Sequence, residues 1–427
     1  MTSKTGRHGL PVHSRLLVVV ALILLAAQPG LAQTTISFMF WGAPGESDLW
    51  FEMVERFNEK QNGIKVEPLH TPQGYEEKLV TLIAGGVTPD VVLVEEEPYI
   101  TFARAGAFLD LTDRFERDLD PREYNQVALR FQNVDGRYYA LPWDIGLGIM
   151  FHNTTLLDEA GLSLPPVDLT WDEFLENALK LTRDRNGDGR IDQWGTMVAP
   201  GFRGTSIYFI WGSGGDLVDD PANPTRVTVT ESAALRGLQF ITDLVHRYNV
   251  APAPGTPQPN FVRGNLGMLR NGTWAFAQYR TSITDFNWDV TYWPRHSDVP
   301  QSGGYLGPDN IAIGSTTQHP DEAWEFVKFV IGPEGQEILG RGGRSIPALN
   351  DAARRFFIDP TVPPRNAEAI VLGAEGYGRL VPRIYNFRQM EEEWTVENRA
   401  MLTGQQSPEQ TALRIKEITE RYLRESQ

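Results

Sequence analysis

The segment from position 184 to position 195 carries oxygen-bearing side chains at the spacing of a calcium-binding loop. Asp184, Asn186, Asp188 and Asp192 stand at positions one, three, five and nine of that pattern. The twelfth position, which supplies a bidentate carboxylate in complete loops, is Gly195. Two interpretations stay open: a structural Ca²⁺ site, or a turn in which these side chains accept hydrogen bonds from their own backbone.

Two other carboxylates, Glu96 and Asp144, could act as the catalytic pair of a glycoside hydrolase, which needs two carboxyl groups around the scissile bond. The sequence contains neither a G-x-S-x-G nor an H-E-x-x-H motif, and its 7 histidines are scattered. It has no cysteine, which excludes thiolate nucleophiles, disulfides and cysteine-held metal centres. We therefore predict that the protein is not an enzyme and that it requires no cofactor.

Strand-like and helix-like patterns alternate along the first part of the chain, and these elements must position any functional side chains. The predicted elements are a strand at 35–41, a helix at 49–58, a strand at 64–67, a helix at 75–84 and a strand at 89–94. This order is typical of an α/β domain with a largely parallel sheet. Ligands of such sheets bind beyond the carboxyl ends of the strands. The residues that stand there are Trp41, Glu46, Glu95, Glu96 and Glu97.

Mixed elements continue along the remainder of the chain. A glycine-containing strand is predicted at 145–152, and Thr170 with Glu173 forms a capping box that opens a helix ending at Leu181. Further helices are predicted at 232–248, 320–330 and 409–425. The length of 427 residues allows two or three domains, each with an apolar core.

The first 32 residues differ in composition from the rest. Lys4, Arg7 and Arg15 carry positive charge without an acid among them, and residues 16–27 form an uninterrupted apolar run. This run is shorter than the ~20 residues of a membrane-spanning helix. We predict a signal peptide at 1–32, cleaved after Ala32, and export to the periplasm. Without cysteine the mature chain has no lipoprotein anchor, and we expect no insertion into the membrane after cleavage.

The charge of the chain narrows the class of partner. With 39 Lys and Arg against 55 Asp and Glu, the formal net charge is -16. Removal of the three basic residues of the signal peptide changes the balance to 36 against 55, which is -19. Proteins that bind nucleic acids carry a basic surface instead, so we expect no nucleic-acid partner.

Four segments, at 75–92, 140–153, 263–274 and 303–347, follow one another at characteristic distances. The first three read YEEKLVTLIAGGVTPDVV, ALPWDIGLGIMFHN and RGNLGMLRNGTW. In this order the four segments resemble the extracellular solute-binding proteins of carbohydrate ABC importers, the group that includes maltodextrin-binding and glycerol-phosphate-binding proteins. The resemblance covers nearly all of the mature chain.

The resemblance implies an α/β fold of two lobes, a periplasmic-binding-protein-like clamp that closes on a ligand. Each lobe would be a largely parallel sheet with helices on both faces, and hinge crossovers would join the lobes. Lobe 1 would comprise residues 33–141 and 307–350, and lobe 2 residues 142–306 and 351–427. A ligand that contacts both lobes would favour the closed state.

A sugar presents a face of C–H bonds and a rim of hydroxyl groups, so its binding site needs aromatic rings beside polar acceptors. The resemblance places ten candidate residues in the cleft: Trp41, Glu96, Glu97, Trp143, Asp144, Trp211, Trp274, Gly304, Tyr305 and Arg344. Each tryptophan has an alternative role in packing of the core. Arg203 and Arg383 are further candidates, and with Arg344 they leave room for a phosphorylated ligand.

The function that the resemblance implies is capture of a carbohydrate or sugar-like solute and its delivery to the transmembrane subunits of an ABC permease. Two alternatives stay open. The same clamp could present its closed form to a membrane-bound signalling kinase, or the protein could hydrolyse a glycoside.

Overall fold

The structure is a computed structural model that describes residue 1, residues 33–42 and residues 45–426. The predicted signal peptide therefore lies outside the described residues, apart from Met1. Within the described part the strands are β1 (Thr34–Phe40), β2 (Ile64–His70), β3 (Val91–Val94), β4 (Asn133–Val134), β5 (Arg137–Tyr138), β6 (Ala140–Pro142), β7 (Asp144–Asn153), β8 (Met268–Gly272), β9 (Trp288–Thr291), β10 (Gly304–Gly307), β11 (Asn310–Ile313), β12 (Ile346–Pro347) and β13 (Gly378–Arg379).

All six helices predicted from sequence are present, and their ends lie within three residues of the predicted ends. The helices of the described part are α1 (Glu46–Lys60), α2 (Tyr75–Ala84), α3 (Glu96–Arg104), α4 (Thr112–Asp118), α5 (Gln126–Gln132), α6 (Thr154–Glu159), α7 (Trp171–Leu181), α8 (Ile207–Gly212), α9 (Ser232–His246), α10 (Phe276–Ser282), α11 (Pro320–Ile331), α12 (Pro333–Gly342), α13 (Asn350–Ala352), α14 (Ala367–Tyr377), α15 (Phe387–Leu402) and α16 (Pro408–Glu425). No helix in the described ranges combines the length and the apolar content needed to cross a bilayer.

Side chains at the helix ends explain where α7 and α16 begin. The Thr170 hydroxyl accepts a hydrogen bond from the Glu173 backbone N–H, and the Glu173 carboxylate accepts one from the Thr170 N–H at 2.7 Å. Ser407 and Gln410 form the same capping box at α16. These contacts satisfy N–H groups that have no partner within the first helical turn.

The first sheet has the strand order β2-β1-β3-β11-β6. β1 runs parallel to β2 and β3, whereas β11 runs antiparallel to β3 and β6, so four of the five strands share one direction. Successive side chains of a strand point to opposite faces. Phe38 and Leu93 lie in one apolar core, and Met39 and Val92 lie in another. Both faces are therefore covered, and the prediction of a largely parallel sheet is confirmed for this lobe.

The second sheet is built around β7, a strand whose ten residues are all buried. β7 pairs antiparallel with β8, β9, β10 and β12, while β13 pairs parallel with β10. Five of these six strands therefore share one direction, as four of five do in the first sheet, and the prediction of a largely parallel sheet holds here with β7 as the one antiparallel strand. The chain path explains the direction of β7: this strand leads away from the first sheet and β10 leads back to it, so these neighbours run in opposite directions.

The chain passes between the two sheets at three places. β6 ends at Pro142 and β7 begins at Asp144, and β10 ends at Gly307 before β11 begins at Asn310. The third passage follows α12 and leads into β12, which pairs with β7. β12 lies within the span predicted for lobe 1 but belongs to the second sheet. The other lobe boundaries stay a prediction.

Candidate functional site

A cavity of about 370 Å³ lies where the chain passes between the two sheets. Carboxylates and arginines dominate its lining, together with one tryptophan and one tyrosine. The lining residues are Glu95, Glu96, Asp144, Gly146, Arg203, Gly204, Arg270, Trp274, Tyr305, Gly307, Asp309, Arg344, Ser345 and Glu391. Five of the ten candidates predicted from sequence are among them: Glu96, Asp144, Trp274, Tyr305 and Arg344.

The ends of three strands bring acidic side chains into this cavity. Glu95 and Glu96 come directly after β3, and Glu96 is the first residue of α3. Asp144 is the first residue of β7, and Asp309 stands between β10 and β11. The glutamates thus follow the rule that ligands bind beyond the carboxyl ends of parallel strands, while the aspartates occupy the passages between the sheets.

Arg344 joins three carboxylates from distant parts of the sequence. Its guanidinium contacts the Asp144 carboxylate and lies 2.7 Å from Glu46 Oε1 and 3.3 Å from Asp309 Oδ2. The Asp309 backbone N–H also donates a hydrogen bond to Asp144 Oδ1 at 3.1 Å. One cation therefore ties together the start of α1 and two of the passages between the sheets.

Burial decides how readily this cluster ionises. Burial raises the pKa of Asp144 to about 6, although the charge of Arg344 opposes the rise. Burial and the neighbouring Asp144 charge raise the pKa of Asp309 well above its ordinary value. Burial lowers the pKa of Arg344, but the charges of Asp144, Glu46 and Asp309 outweigh burial and raise that pKa. Arg344 consequently stays charged, while Asp144 and Asp309 resist full ionisation.

Glu96 is the centre of a second cluster and is only 5% exposed. It accepts a hydrogen bond from the Tyr305 hydroxyl, and its Oε1 lies 3.4 Å from Arg203 Nη1. Arg203 Nε lies in turn 3.3 Å from Glu391 Oε1 on α15. Burial raises the pKa of Glu96 to about 7, and the charge of Arg203 opposes this rise. Because Glu96 belongs to the first lobe and its partners to the second, the cluster spans the cleft.

Trp274 follows β8 and lays its ring across the backbone of two glycines. A Cβ at Gly272 would lie 2.1 Å from the Trp274 ring, and a Cβ at Gly146 would lie 3.1 Å from it. Any larger side chain at Gly272 would displace the ring. The indole is half-buried and lines the cavity, so it offers a flat apolar surface to a bound molecule.

A family model described as bacterial extracellular solute-binding protein matches residues 43–337, which is more than half of the chain. This chain belongs to that family. The resemblance that the four sequence segments indicated is therefore confirmed. The family is one of binding proteins, in agreement with the prediction that the chain is not an enzyme.

The relatives of this solute-binding protein are themselves named as binding proteins. The arabinooligosaccharide-binding protein of Halalkalibacterium halodurans is 23% identical over 310 residues, which cover 68% of this chain and 66% of that protein. The lactose-binding protein of Rhizobium radiobacter is 31% identical over 266 residues, which cover 60% of each chain. The ABC substrate-binding protein Lmo0181 from Listeria monocytogenes, solved in complex with cycloalternan, is 25% identical. It aligns with a TM-score of 0.79 over 91% of this chain and 99% of that chain, which confirms the two-lobed α/β fold.

Two predicted site residues of this solute-binding protein are buried in its lobes. Trp143 is 1% exposed, with its ring centre 4.3 Å from that of Trp50 and the Arg344 guanidinium 5.1 Å from its ring. Trp211 is 3% exposed and donates from Nε1 to Asp216 Oδ1 at 3.1 Å, beside a different cavity. Neither residue lines the cavity between the sheets.

Two further predicted residues, Trp41 and Gly304, also stand apart from this cavity. Trp41 lines a neighbouring cavity of about 270 Å³, which shares Glu95 with the first. A Cβ at Gly304 would lie 2.0 Å from the Tyr377 hydroxyl, so this glycine leaves room for a packed tyrosine. The side chain of Glu97 lies outside the described part of the structure. Ligand contacts of these residues stay a prediction.

Glu95, which the strand-end rule indicated, also lines the cavity, whereas seven lining residues were missed by the sequence analysis: Gly146, Gly204, Arg270, Gly307, Asp309, Ser345 and Glu391. Two of them could have been predicted from their positions in the sequence. Asp309 stands at the second passage as Asp144 stands at the first, and Arg270 lies within the segment 263–274. Glu391 arrives on a helix distant in sequence, which no local pattern indicates. Of the two further candidates, Arg203 lines the cavity, whereas Arg383 donates to the Asn133 carbonyl at 2.8 Å and lies outside it.

The segment that resembles a calcium loop uses its side-chain oxygens within the loop. Asp184 accepts hydrogen bonds from the Gly187 and Gly189 backbone N–H groups at 2.7 and 2.8 Å. Asn186, Asp188 and Asp192 likewise accept from backbone N–H groups of the loop. Among the described residues, no group of three or more His, Cys, Asp or Glu side chains is arranged to hold a metal ion. The contacts fit the self-bonded turn, and calcium binding stays a prediction.

Proposed function

We propose that this protein is exported to the periplasm, captures a carbohydrate in the cavity between its lobes and delivers it to the transmembrane subunits of an ABC permease. The observation that carries the proposal is the half-buried ring of Trp274 beside the carboxyl groups of Glu96 and Asp144. A pyranose can place its C–H face on such a ring while its hydroxyl groups donate to the carboxylates. The named relatives, which include binding proteins for arabinooligosaccharides and lactose, support this class of ligand.

A ligand that contacts both lobes can change the shape of the protein by closing the cleft. Glu96 extends from the first lobe, and Tyr305 and Trp274 extend from the second. A ligand that contacts all three side chains binds the closed state more tightly than the open state, and this difference drives closure. The closed pair of lobes is then the form that a permease would recognise.

The Trp274→Ala variant tests the proposal. We expect isothermal titration with arabinooligosaccharides, lactose and maltose to identify a ligand of the unmodified protein. For that ligand the variant should lose on the order of 1–3 kcal/mol of binding free energy, because it loses an aromatic surface. Trp194→Ala is the matched control, since Trp194 is also half-buried but does not line the cavity. Equal affinities of the unmodified protein and the Trp274 variant would contradict the proposal.

Glycoside hydrolysis can be distinguished from transport by whether the bound saccharide stays intact. A transport receptor must release its ligand unchanged, so native mass spectrometry should find an intact saccharide bound at one per chain after long incubation. Release of monosaccharide that stops in a Glu96→Gln variant would favour the hydrolase instead. The kinase alternative receives no support from the named relatives, one of which is an ABC substrate-binding protein.

A further inference from the structure

Arg270 differs from the two other arginines that line the cavity. Arg344 lies within ion-pair distance of Glu46, Asp144 and Asp309, as described above. Arg203 pairs with Glu96 and Glu391. By contrast, the contacts of Arg270 within the described residues are aromatic, and none is an ion pair with a carboxylate.

The aromatic contacts hold the Arg270 guanidinium at the wall of the cavity. Its central carbon lies 4.6 Å from the centre of the Tyr208 ring and 5.8 Å from that of Trp274. It donates a hydrogen bond to the Tyr208 hydroxyl. Its Nε is shielded from solvent and has no hydrogen-bond partner among the described residues. A guanidinium has five N–H donors, so Arg270 can donate further hydrogen bonds next to the Trp274 ring, on which a sugar would stack.

The charge of the cavity does not prevent an anion from binding near Arg270. Five carboxyl groups and three guanidinium groups line the cavity. Three of the carboxyl groups, Glu96, Asp144 and Asp309, have a pKa raised by burial, which favours their neutral form. Glu391 pairs with Arg203, Asp144 with Arg344 and Glu95 with Arg388. Among the described residues, the Arg270 guanidinium has no carboxylate within ion-pair distance.

We propose that the ligand is an acidic saccharide, and that Arg270 binds the carboxylate of a uronic acid unit stacked on Trp274. The inference deepens the proposed function and rests on it. A planar guanidinium can bind a carboxylate through two parallel hydrogen bonds, a geometry that lysine does not offer. The same chemistry would recognise a phosphate group, but a phosphate carries up to two negative charges and would be repelled more strongly by the carboxylates of the cavity.

Matched pairs of saccharides test this inference. Titrations would compare oligosaccharides of galacturonate and glucuronate with the galactose and glucose oligosaccharides of the same length, and with glucose 6-phosphate. We expect the uronates to bind more tightly, and their affinity to fall as salt is raised. In the Arg270→Met variant, which keeps an apolar stem but no charge, uronate affinity should fall roughly 10- to 100-fold. The affinity for the neutral partner, which has no carboxylate to lose, should fall clearly less than that for the uronate.

The control variant is Arg247→Met. Arg247 also lies over a ring, with its guanidinium carbon 5.1 Å from the centre of Tyr248, but it is exposed and outside the cavity. This variant should bind every saccharide as the unmodified protein does. Equal losses for uronate and neutral saccharide in the Arg270 variant would show that Arg270 only positions the rings, and would overturn the inference.

The remaining outcomes separate this inference from the proposed function. Binding of neutral saccharides or of the phosphate ester without binding of uronates would overturn the uronate assignment and leave carbohydrate capture standing. Failure of every saccharide to bind would contradict the proposed function itself, and the inference with it.

Discussion

Glu96 is a carboxyl group in a position that disfavours its charge. It is nearly inaccessible to water, and Arg203 at 3.4 Å compensates only part of the cost of burial. Its pKa is therefore raised to about 7, so the group is partly protonated near neutral pH. The Tyr305 hydroxyl donates to the same oxygen that faces Arg203. A sugar hydroxyl that approaches this site meets an acceptor whose strength depends on pH.

Replacement of Glu96 by glutamine should change how stability depends on pH. Unfolded glutamate ionises near 4.5, whereas the folded group ionises near 7, so the folded state binds more protons in this window. Stability of the unmodified protein should therefore fall as pH rises from about 4.5 to 7. We expect Glu96→Gln to be more stable than the unmodified protein at pH 8, by on the order of 1–3 kcal/mol, and the difference to shrink towards pH 5. Urea unfolding at both pH values measures this.

A control for this pH effect is Glu116→Gln, because Glu116 is exposed on α4. The free energy of unfolding of the Glu116→Gln variant should differ from that of the unmodified protein by the same small amount at pH 5 and at pH 8. A stability difference for the Glu96 variant that does not change with pH would contradict the raised pKa. A destabilised Glu96 variant at pH 8 would show that the pair with Arg203 outweighs burial.

The place of a single residue in the site could be predicted from sequence where the residue stands at the end of a helix or strand. Glu96 follows a buried strand and Asp144 opens the next lobe, and both line the cavity. Trp143, one residue before Asp144, points into the core instead, because successive residues of an extended chain point to opposite sides. Sequence alone cannot tell which of two adjacent residues faces the cleft until the register of the strand is known. Arg203 and Glu391 depend on how distant segments pack, which no local pattern encodes.

At the scale of elements, β7 and β8 form a platform shaped by missing side chains. Gly146 on β7 and Gly272 on β8 lie under the Trp274 ring. A Cβ at Gly148 would lie 1.9 Å from the Tyr208 hydroxyl, so the same strand leaves room for a second aromatic residue. The glycines of these strands thus let aromatic rings approach the backbone closely, next to the cavity.

Gly272→Ala should weaken binding although it replaces no side chain that contacts the ligand. The new Cβ would lie 2.1 Å from the Trp274 ring, closer than atoms can approach, so the ring must move. We expect the affinity for the saccharide to fall about as much as in Trp274→Ala, because both changes remove the aromatic surface. Gly63→Ala is the control, since its backbone angles suit alanine and its nearest neighbour, Gln61 Oε1, lies 3.8 Å away. Unchanged affinity of Gly272→Ala would show that the ring position is not needed for binding.

Elements were predicted best where the sequence alternates strand and helix. The order from β1 to β3 indicated a parallel sheet, because each crossover by a helix returns the chain in the same direction. The second sheet lacks this alternation, since β7 pairs with β10, which is about 150 residues later and returns to the first lobe. Strand direction there depends on the path of the whole chain and could not be derived from local periodicity.

At the scale of the molecule, the two lobes also touch outside the cavity. Arg388 on α15 of the second lobe contacts the Glu76 carboxylate and lies 2.9 Å from Glu95 Oε2 in the first lobe. These contacts lie at the neighbouring cavity that Trp41 also lines. They stabilise the arrangement in which the lobes face each other, and they add to whatever a ligand contributes.

Arg388→Gln should therefore shift the lobes towards the open state. Partly exposed ion pairs contribute about 0–1 kcal/mol, so we expect the apparent dissociation constant for the saccharide to rise roughly two- to fivefold. Small-angle X-ray scattering should give a larger radius of gyration for the unliganded variant, and the unmodified value at saturating ligand. Arg421→Gln is the control: Arg421 is 47% exposed, as Arg388 is, but its partner Glu393 belongs to the same lobe. A radius of gyration that changes equally in both variants would mean that Arg388 stabilises its own lobe, and that ligand contacts alone close the cleft.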